Sequence, residues 1–260
     1  MESRPDHPRA NVLGVPISAL TMQEALQTVH RWIVNREPNF VCTLDVHALM
    51  ECRSSRDIQQ IYRQAGMVAA DGMPLVWLLR RRGYPTAERV CGPDLMPALF
   101  HASARHGYRH FLYGSTEATL ARLRAELHRQ YPKAAIVGSY SPPFRPLTPE
   151  EQLHADSLVN AASPDIVWVG LGAPKQERWM AERRSSLQAP VLIGVGAAFD
   201  MVAGNVKRAP LALRQTGFEW VYRLSQEPKR LATRYLESNS KFLMLLILES
   251  LTHGLSRSGR

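Results

Sequence analysis

Several shortages in the sequence each remove a class of protein. Its three cysteines, Cys42, Cys52 and Cys91, lack the paired spacing of zinc sites, and their odd number leaves one unpaired in any disulfide scheme. A reducing, cytoplasmic compartment is the simplest reading. Residues 1–9 are polar, carry two prolines and lead into no apolar core, so no secretory signal is expected. No apolar run approaches the roughly 20 residues that a membrane-spanning helix requires. No internal repeat or low-complexity segment stands out. No Asp-x-Asp occurs, and the acids present suggest neither a metal nor a cofactor site. An enzyme of this sequence that released a diphosphate would therefore need Lys, Arg or helix N-termini to take up its charge.

What is present is an ordinary globular composition, with 45% apolar and 21% charged residues over 260 positions, enough for one substantial core and an appendage. The formal charge is +9, which favours an anionic partner: nucleic acid, acidic lipid or a phosphorylated substrate. From Val206 onward there are ten Lys or Arg against four Glu, so six of the nine excess charges sit in the last fifth. The same region carries the apolar run 242–248. A basic, apolar tail too short to span can lie on an anionic membrane surface, or pack as a last helix on the core. No recognised RNA or DNA module accompanies the charge, so no nucleic-acid partner is expected. The division expected is a core over 1–205 and a helical appendage over 206–260.

Short apolar runs alternate with helical patterns. Thr21-Met-Gln-Glu24 and Thr148-Pro-Glu-Glu151 are capping boxes that open helices. Strands are expected at 40–44, 67–70, 110–113, 135–137, 166–169 and 191–195, with helices between them. That alternation predicts an α/β fold with a largely parallel sheet flanked by helices on both faces. Ligands of such sheets sit beyond the carboxyl ends of the strands. Those ends carry Thr43 and Asp45, Asp71-Gly72, Gly114-Ser115, Ser139-Tyr140, Gly170-Leu171-Gly172, and Gly196 with Asp200. Small residues there suit a shared phosphate site, although Gly and Ser end strands everywhere. Asp71 could act as a general base, or could cap the helix near Pro74. Gly170-Leu171-Gly172 begins as a dinucleotide fingerprint begins, but Ala173-Pro174-Lys175-Gln176-Glu177 replaces the remaining glycine pattern, which speaks against a dinucleotide oxidoreductase.

Several segments, in order, resemble one family. They are Ala70-Asp-Gly-Met-Pro74, Arg89-Val-Cys-Gly-Pro-Asp-Leu-Met96, Tyr140-Ser-Pro-Pro-Phe144, Val169-Gly-Leu-Gly-Ala-Pro-Lys-Gln-Glu177, Gly194-Val-Gly-Ala-Ala-Phe-Asp200, Lys207-Arg-Ala-Pro210, Glu219-Trp-Val-Tyr-Arg-Leu224 and Glu227-Pro-Lys-Arg-Leu231. The chain is similar, from about Asn11 to Leu236, to the WecG/TagA/CpsF glycosyltransferases, glycosyltransferase family 26. The resemblance implies a Rossmann-like core with a C-terminal helical appendage that docks on the inner face of the plasma membrane. It implies metal-independent, inverting transfer from a UDP-sugar to a polyprenyl-diphosphate-linked saccharide. Asp71 falls at the family's proposed base, and Thr43 at its strand-end threonine near the acceptor. Asp45 stands where the family usually has Asn, and Val46-His47 also departs from the pattern. The expected donor contacts are Gly114, Ser115, Ser139, Tyr140, Pro142, Gly170, Gly172, Lys175, Gln176, Gly196 and Asp200. The expected acceptor and lipid-diphosphate contacts are Asp45, Arg89, Arg223, Arg230 and Arg234. Self-association that buries the apolar tail away from the membrane stays open.

Overall fold

The computed structural model describes residues 7–226 and 228–257, with the backbone alone at 215, 229–231, 233–235 and 250–257. The elements run β1 (Arg9–Val12), β2 (Val15–Ser18), α1 (Met22–Val34), β3 (Asn39–Leu44), α2 (Val46–Ser54), α3 (Arg56–Gln64), β4 (Met67–Ala70), α4 (Met73–Arg81), α5 (Gly92–His106) and β5 (Arg109–Gly114). They continue α6 (Glu117–Gln130), β6 (Ala135–Tyr140), α7 (Pro149–Ala161), β7 (Ile166–Gly170), α8 (Lys175–Arg183), β8 (Val191–Gly194), α9 (Ala198–Val202), α10 (Leu211–Gln215), α11 (Glu219–Gln226) and α12 (Pro228–Arg257).

The strands form one sheet in the order β1-β2-β4-β3-β8-β7-β5-β6. β1 and β2 pair antiparallel, and the other pairings are parallel. β4 and β8 are buried at every position, as are the first four residues of β7. Parallel strands covered on both faces produce such short, continuous apolar runs. One face packs α2, α3, α4, α7, α8 and Phe242 of α12, and the other packs α1, α5, α6 and α9. This is a Rossmann-like α/β fold.

Both capping boxes form. Thr21 and Thr148 each accept from the backbone N–H of the third helical residue, whose carboxylate returns to the cap. On the second face His110 stacks on Phe100 at 3.9 Å between ring centroids. Trp168 Nε1 donates to His110 Nδ1 at 3.1 Å, leaving Nε2–H for Ser103 Oγ at 2.6 Å. Burial pushes this imidazole down to about 3, so it stays neutral in the core.

Two elements lie outside the expected pattern. The β1–β2 hairpin turns on Leu13 and Gly14, with φ of 51° and 94°. Positive φ at both central residues matches the twist of a hairpin, but leucine there gives no turn signal in sequence. Helix α2 starts immediately after β3 because Asp45 accepts from the Ala48 N–H at 2.7 Å.

The topology creates two openings at the carboxyl edge. The helices following β5 and β7, α6 and α8, lie on opposite faces of the sheet, as do α2 and α9, which follow β3 and β8. Oppositely directed crossovers leave a crevice at the β5/β7 boundary, and β8, which no crossover to a further strand follows, leaves a second opening beside the end of β3. The two crevices are two strand spacings apart, about 10 Å.

Candidate active site

At the first crevice the ends of β5 and β7 nearly touch. Gly114 aligns with Gly170, and the Ser115 N–H donates to the Gly170 carbonyl at 3.1 Å. Gly114 has φ +114°, and a Cβ there would meet the Gly170 carbonyl carbon and oxygen at 2.7 Å. Only glycine combines this φ with this approach. Ser141 Oγ donates to the Ser115 carbonyl at 2.7 Å, drawing the segment after β6 against the same edge. Ser139 and Tyr140 pair with Leu112 and Tyr113 at the end of β5, and Pro142 follows the tethered Ser141. Gly172, at φ +76°, then leads through a cis Ala173–Pro174 bond into α8. Lys175 opens that helix exposed to solvent. The edge therefore offers small residues, a helix N-terminus and one exposed positive charge, a combination suited to a diphosphate, although the Gln176 N–H is already given to the Gly172 carbonyl at 3.0 Å.

Gln176 and Glu177 point the other way. Gln176 is 2% exposed, accepts the Gly196 N–H on Oε1 at 2.9 Å and donates from Nε2 to Glu177 Oε1 at 2.9 Å. Its amide is engaged at both ends and ties the loop after β7 to the loop after β8, so it holds Gly196 in place rather than presenting a free group to a diphosphate. Glu177 is 0% exposed, and its Oε2 has no hydrogen-bond partner among the described residues. Burial raises its carboxyl to about 7, and Asp45 adds to that, against the hydrogen bond from Gln176. Asp200 is also engaged. Its Oδ1 accepts from Thr119 Oγ1 at 3.3 Å and from Asn205 Nδ2 at 3.0 Å, joining α9 to the start of α6.

At the second crevice Thr43 Oγ1 donates to the Gly194 carbonyl at 3.0 Å, linking the ends of β3 and β8. One strand further, the Asp71 N–H donates to the Leu44 carbonyl at 2.9 Å, setting Asp71 beside the end of β3. The N-cap of α4 is Gly72, with no side-chain cap. Asp71 is therefore not spent on capping, whereas Asp45 is. The Asp71 side chain is 27% exposed. Its carboxyl is raised above the ordinary range by desolvation first; Arg89 opposes this, while Asp45 and Glu219 add to it. A carboxyl held up in this way and still partly exposed has the character of a general base.

Arg89 comes from the segment before α5, whose Val90 N–H donates to the Ala70 carbonyl at 3.0 Å. Its Nε donates to the Asp71 carbonyl at 2.5 Å, and its NH2 reaches Asp71 Oδ1 at 3.3 Å. Its NH1 lies 2.6 Å from Glu219 Oε2 on α11. Burial works against the Arg89 charge, but Asp71 and Glu219 outweigh it. Arg223 follows Glu219 by one helical turn and is half-buried. Arg230 and Arg234 fall on α12, with side chains outside the described residues.

The C-terminal helices close over this edge. His47 Nδ1 and Ser238 Oγ are 2.9 Å apart, and Arg82 pairs with Glu249 at 2.7 Å, so α12 is fixed to α2 and α4. Leu236, Leu243, Met244, Ile247 and Leu248 of α12 remain exposed, as do Phe218, Trp220 and Val221 nearby. No helix among the described residues is long and apolar enough to cross a membrane. No group of three or more His, Cys, Asp or Glu among them is placed to hold a metal ion. Sequence reasoning missed Glu219 as a partner of the site. The available signal was its place as an acid within a basic tail.

Comparison with known proteins agrees with this architecture. Three relatives, from Staphylococcus aureus strains MW2, NCTC 8325 / PS 47 and COL, are each N-acetylglucosaminyldiphosphoundecaprenol N-acetyl-beta-D-mannosaminyltransferases. Each is 26% identical over 233 residues, covering 89% of this chain and 90% of the relative. The model of the glycosyl transferase WecG/TagA/CpsF family matches residues 10–255, and the chain belongs to that family.

Proposed function

We propose that the chain is an inverting hexosyltransferase that moves a sugar from a UDP-sugar to a polyprenyl-diphosphate-linked saccharide, using no metal ion. The observation that carries this reading is Asp71: a carboxyl raised by desolvation, released from capping, and set at the sheet edge beside the end of β3. In the proposed reaction Asp71 takes the proton from an acceptor hydroxyl as its oxygen attacks the anomeric carbon. The new glycosidic bond forms on the face opposite the breaking bond to the diphosphate, and nucleoside diphosphate departs with the bonding electrons. Lys175 and the first amides of α8 stabilise that leaving charge, while the edge around Gly114, Gly170 and Ser139–Pro142 cradles the nucleotide.

On this reading the acceptor enters from the β3/β4 side. Its diphosphate is met by Arg223 and by Arg230 and Arg234, which are spaced one turn apart on α12. The exposed apolar residues of α11 and α12 rest on the inner face of the plasma membrane, so 206–260 serves as the docking appendage of a 1–205 core. The names of the relatives support an N-acetylglucosaminyl polyprenyl diphosphate as acceptor and an N-acetylmannosaminyl donor. Asp71→Asn keeps the shape and removes the base. Transfer measured by mass spectrometry should fall by about 10²–10⁴-fold with UDP affinity unchanged, and near-normal turnover in this variant would remove Asp71 from the role.

A further inference from the structure

Glu219 has no part in the transfer just described, yet it makes the tighter of the two ion pairs on Arg89. An arginine beside a carboxylate commonly closes on it as a fork, with two parallel bonds to the two oxygens. Arg89 does not. NH1 is 2.6 Å from Glu219, Nε is on the Asp71 backbone carbonyl, and NH2 reaches Asp71 Oδ1 at 3.3 Å. The Arg89 side chain is 16% exposed and that of Glu219 11%, so water replaces neither partner cheaply. Glu219 comes from α11, beyond the last strand, whereas Arg89 and Asp71 belong to the first half of the core.

We propose that Glu219 is a positioning residue for the base: by holding NH1 of Arg89 it keeps the guanidinium from closing as a fork on Asp71, and so links the seating of α11 to the basicity of Asp71. This rests on the reading of Asp71 as the base. The groups around the pair come from every packed element. Asp45 faces Asp71 from the start of α2, Arg89 and Cys91 from the segment entering α5, and Glu219 from α11. Behind Cys91, Asp94 accepts its thiol at 3.0 Å and is itself held by Arg208 at 2.5 Å. Glu219 faces Asp71 and is also in ion-pair contact with Arg89. Its neutralisation removes a charge that raises Asp71 and weakens the pairing that draws the Arg89 guanidinium, which lowers Asp71, away from it, and both effects have the same sign.

The test is the pH profile of kcat/KM for the full-length protein, with UDP-N-acetylmannosamine as donor and a short-chain polyprenyl-diphosphate N-acetylglucosamine as acceptor. Glu219→Gln should move the acid limb to lower pH by about one unit. The plateau should fall about threefold, as for a weaker base. Glu219→Asp, which keeps the charge on a shorter arm, should show a smaller displacement in the same direction. It also carries the test should Glu219→Gln fail to fold. A tether that only anchors α11 would lower thermal stability or raise the acceptor KM and leave the limb in place. An unmoved limb in a folded variant overturns the proposal. Asp71→Asn, assayed alongside, separates the two readings: if it retains transfer, both fall; if it is inactive and the limb is unmoved, only the role of Glu219 falls.

Discussion

Replacing Glu177 by Gln should change the way stability depends on pH, by an amount that follows from its burial. The carboxyl is 0% exposed, and its pKa stands at about 7 against an ordinary 4.5. Below pH 4.5 it is neutral folded and unfolded, and its full stabilising contribution is present. As pH rises from 4.5 to about 7 the unfolded chain releases the proton while the folded chain keeps it, and that contribution is lost. Above about 7 both states are ionised and the loss is complete. At about 1.4 kcal/mol per pH unit, the interval corresponds to about 3 kcal/mol. Glutamine is nearly isosteric, keeps an oxygen for the Gln176 amide and does not titrate. Urea unfolding of both proteins at pH 4.5, 5.5, 6.5, 7.5 and 8.5 isolates the effect, because titrating groups not coupled to Glu177 cancel in the difference. The variant should gain on the wild type by about 3 kcal/mol between pH 4.5 and 8, with equal m-values. Its starting offset can have either sign. A difference that stays constant across this range would refute the reasoning, since a carboxyl buried without a second partner cannot ionise at no cost.

Two further outcomes bear on the crevice and the appendage. Gly114→Ala sets a Cβ 2.7 Å from the Gly170 carbonyl at φ +114°. It should cost about 2–4 kcal/mol in unfolding free energy and weaken UDP affinity in calorimetry, and an unchanged affinity would exclude this edge from the nucleotide site. Leu243→Glu with Ile247→Glu alters residues that are 58% and 61% exposed on α12. Sedimentation with anionic vesicles should weaken by about a hundredfold with UDP affinity kept, and undiminished sedimentation would mean that this face meets no lipid.

The layout of the sheet was readable because its causes are local. Thr21 and Thr148 announce their helices by capping chemistry, and the fully covered strands appear as unbroken apolar runs. Knowing that ligands collect at carboxyl ends was enough to single out Thr43, Asp71, Gly114 and Gly170. The order of strands was hidden, because the pairing of Val41 with Ile193 is a long-range contact that neither segment encodes alone. Lys175-Gln176-Glu177-Arg178 looks like a solvated first turn, yet Gln176 and Glu177 are interior. Polar residues buried through specific hydrogen bonds defeat any reading by hydrophobic period. The same holds for Glu219, whose partner Arg89 is far away in sequence. Whether Asp71 was a cap or a free acid needed the structure, which gives the capping position to Gly72.

The place of β8 also bears on how the chain is made. It is the last strand in sequence, yet it sits between β3 and β7 in the middle of the sheet. While the chain is still on the ribosome, β1 to β4 and β5 to β7 can form only separate sub-sheets, each with a bare inner edge. No continuous sheet exists until Val191–Gly194 emerges and fills the gap. Those two edges are the strand surfaces that invite pairing with other chains. Synthesis halted shortly before residue 191 would therefore yield two half-sheets lacking the strand that joins them, with the crevice between β3 and β8 absent.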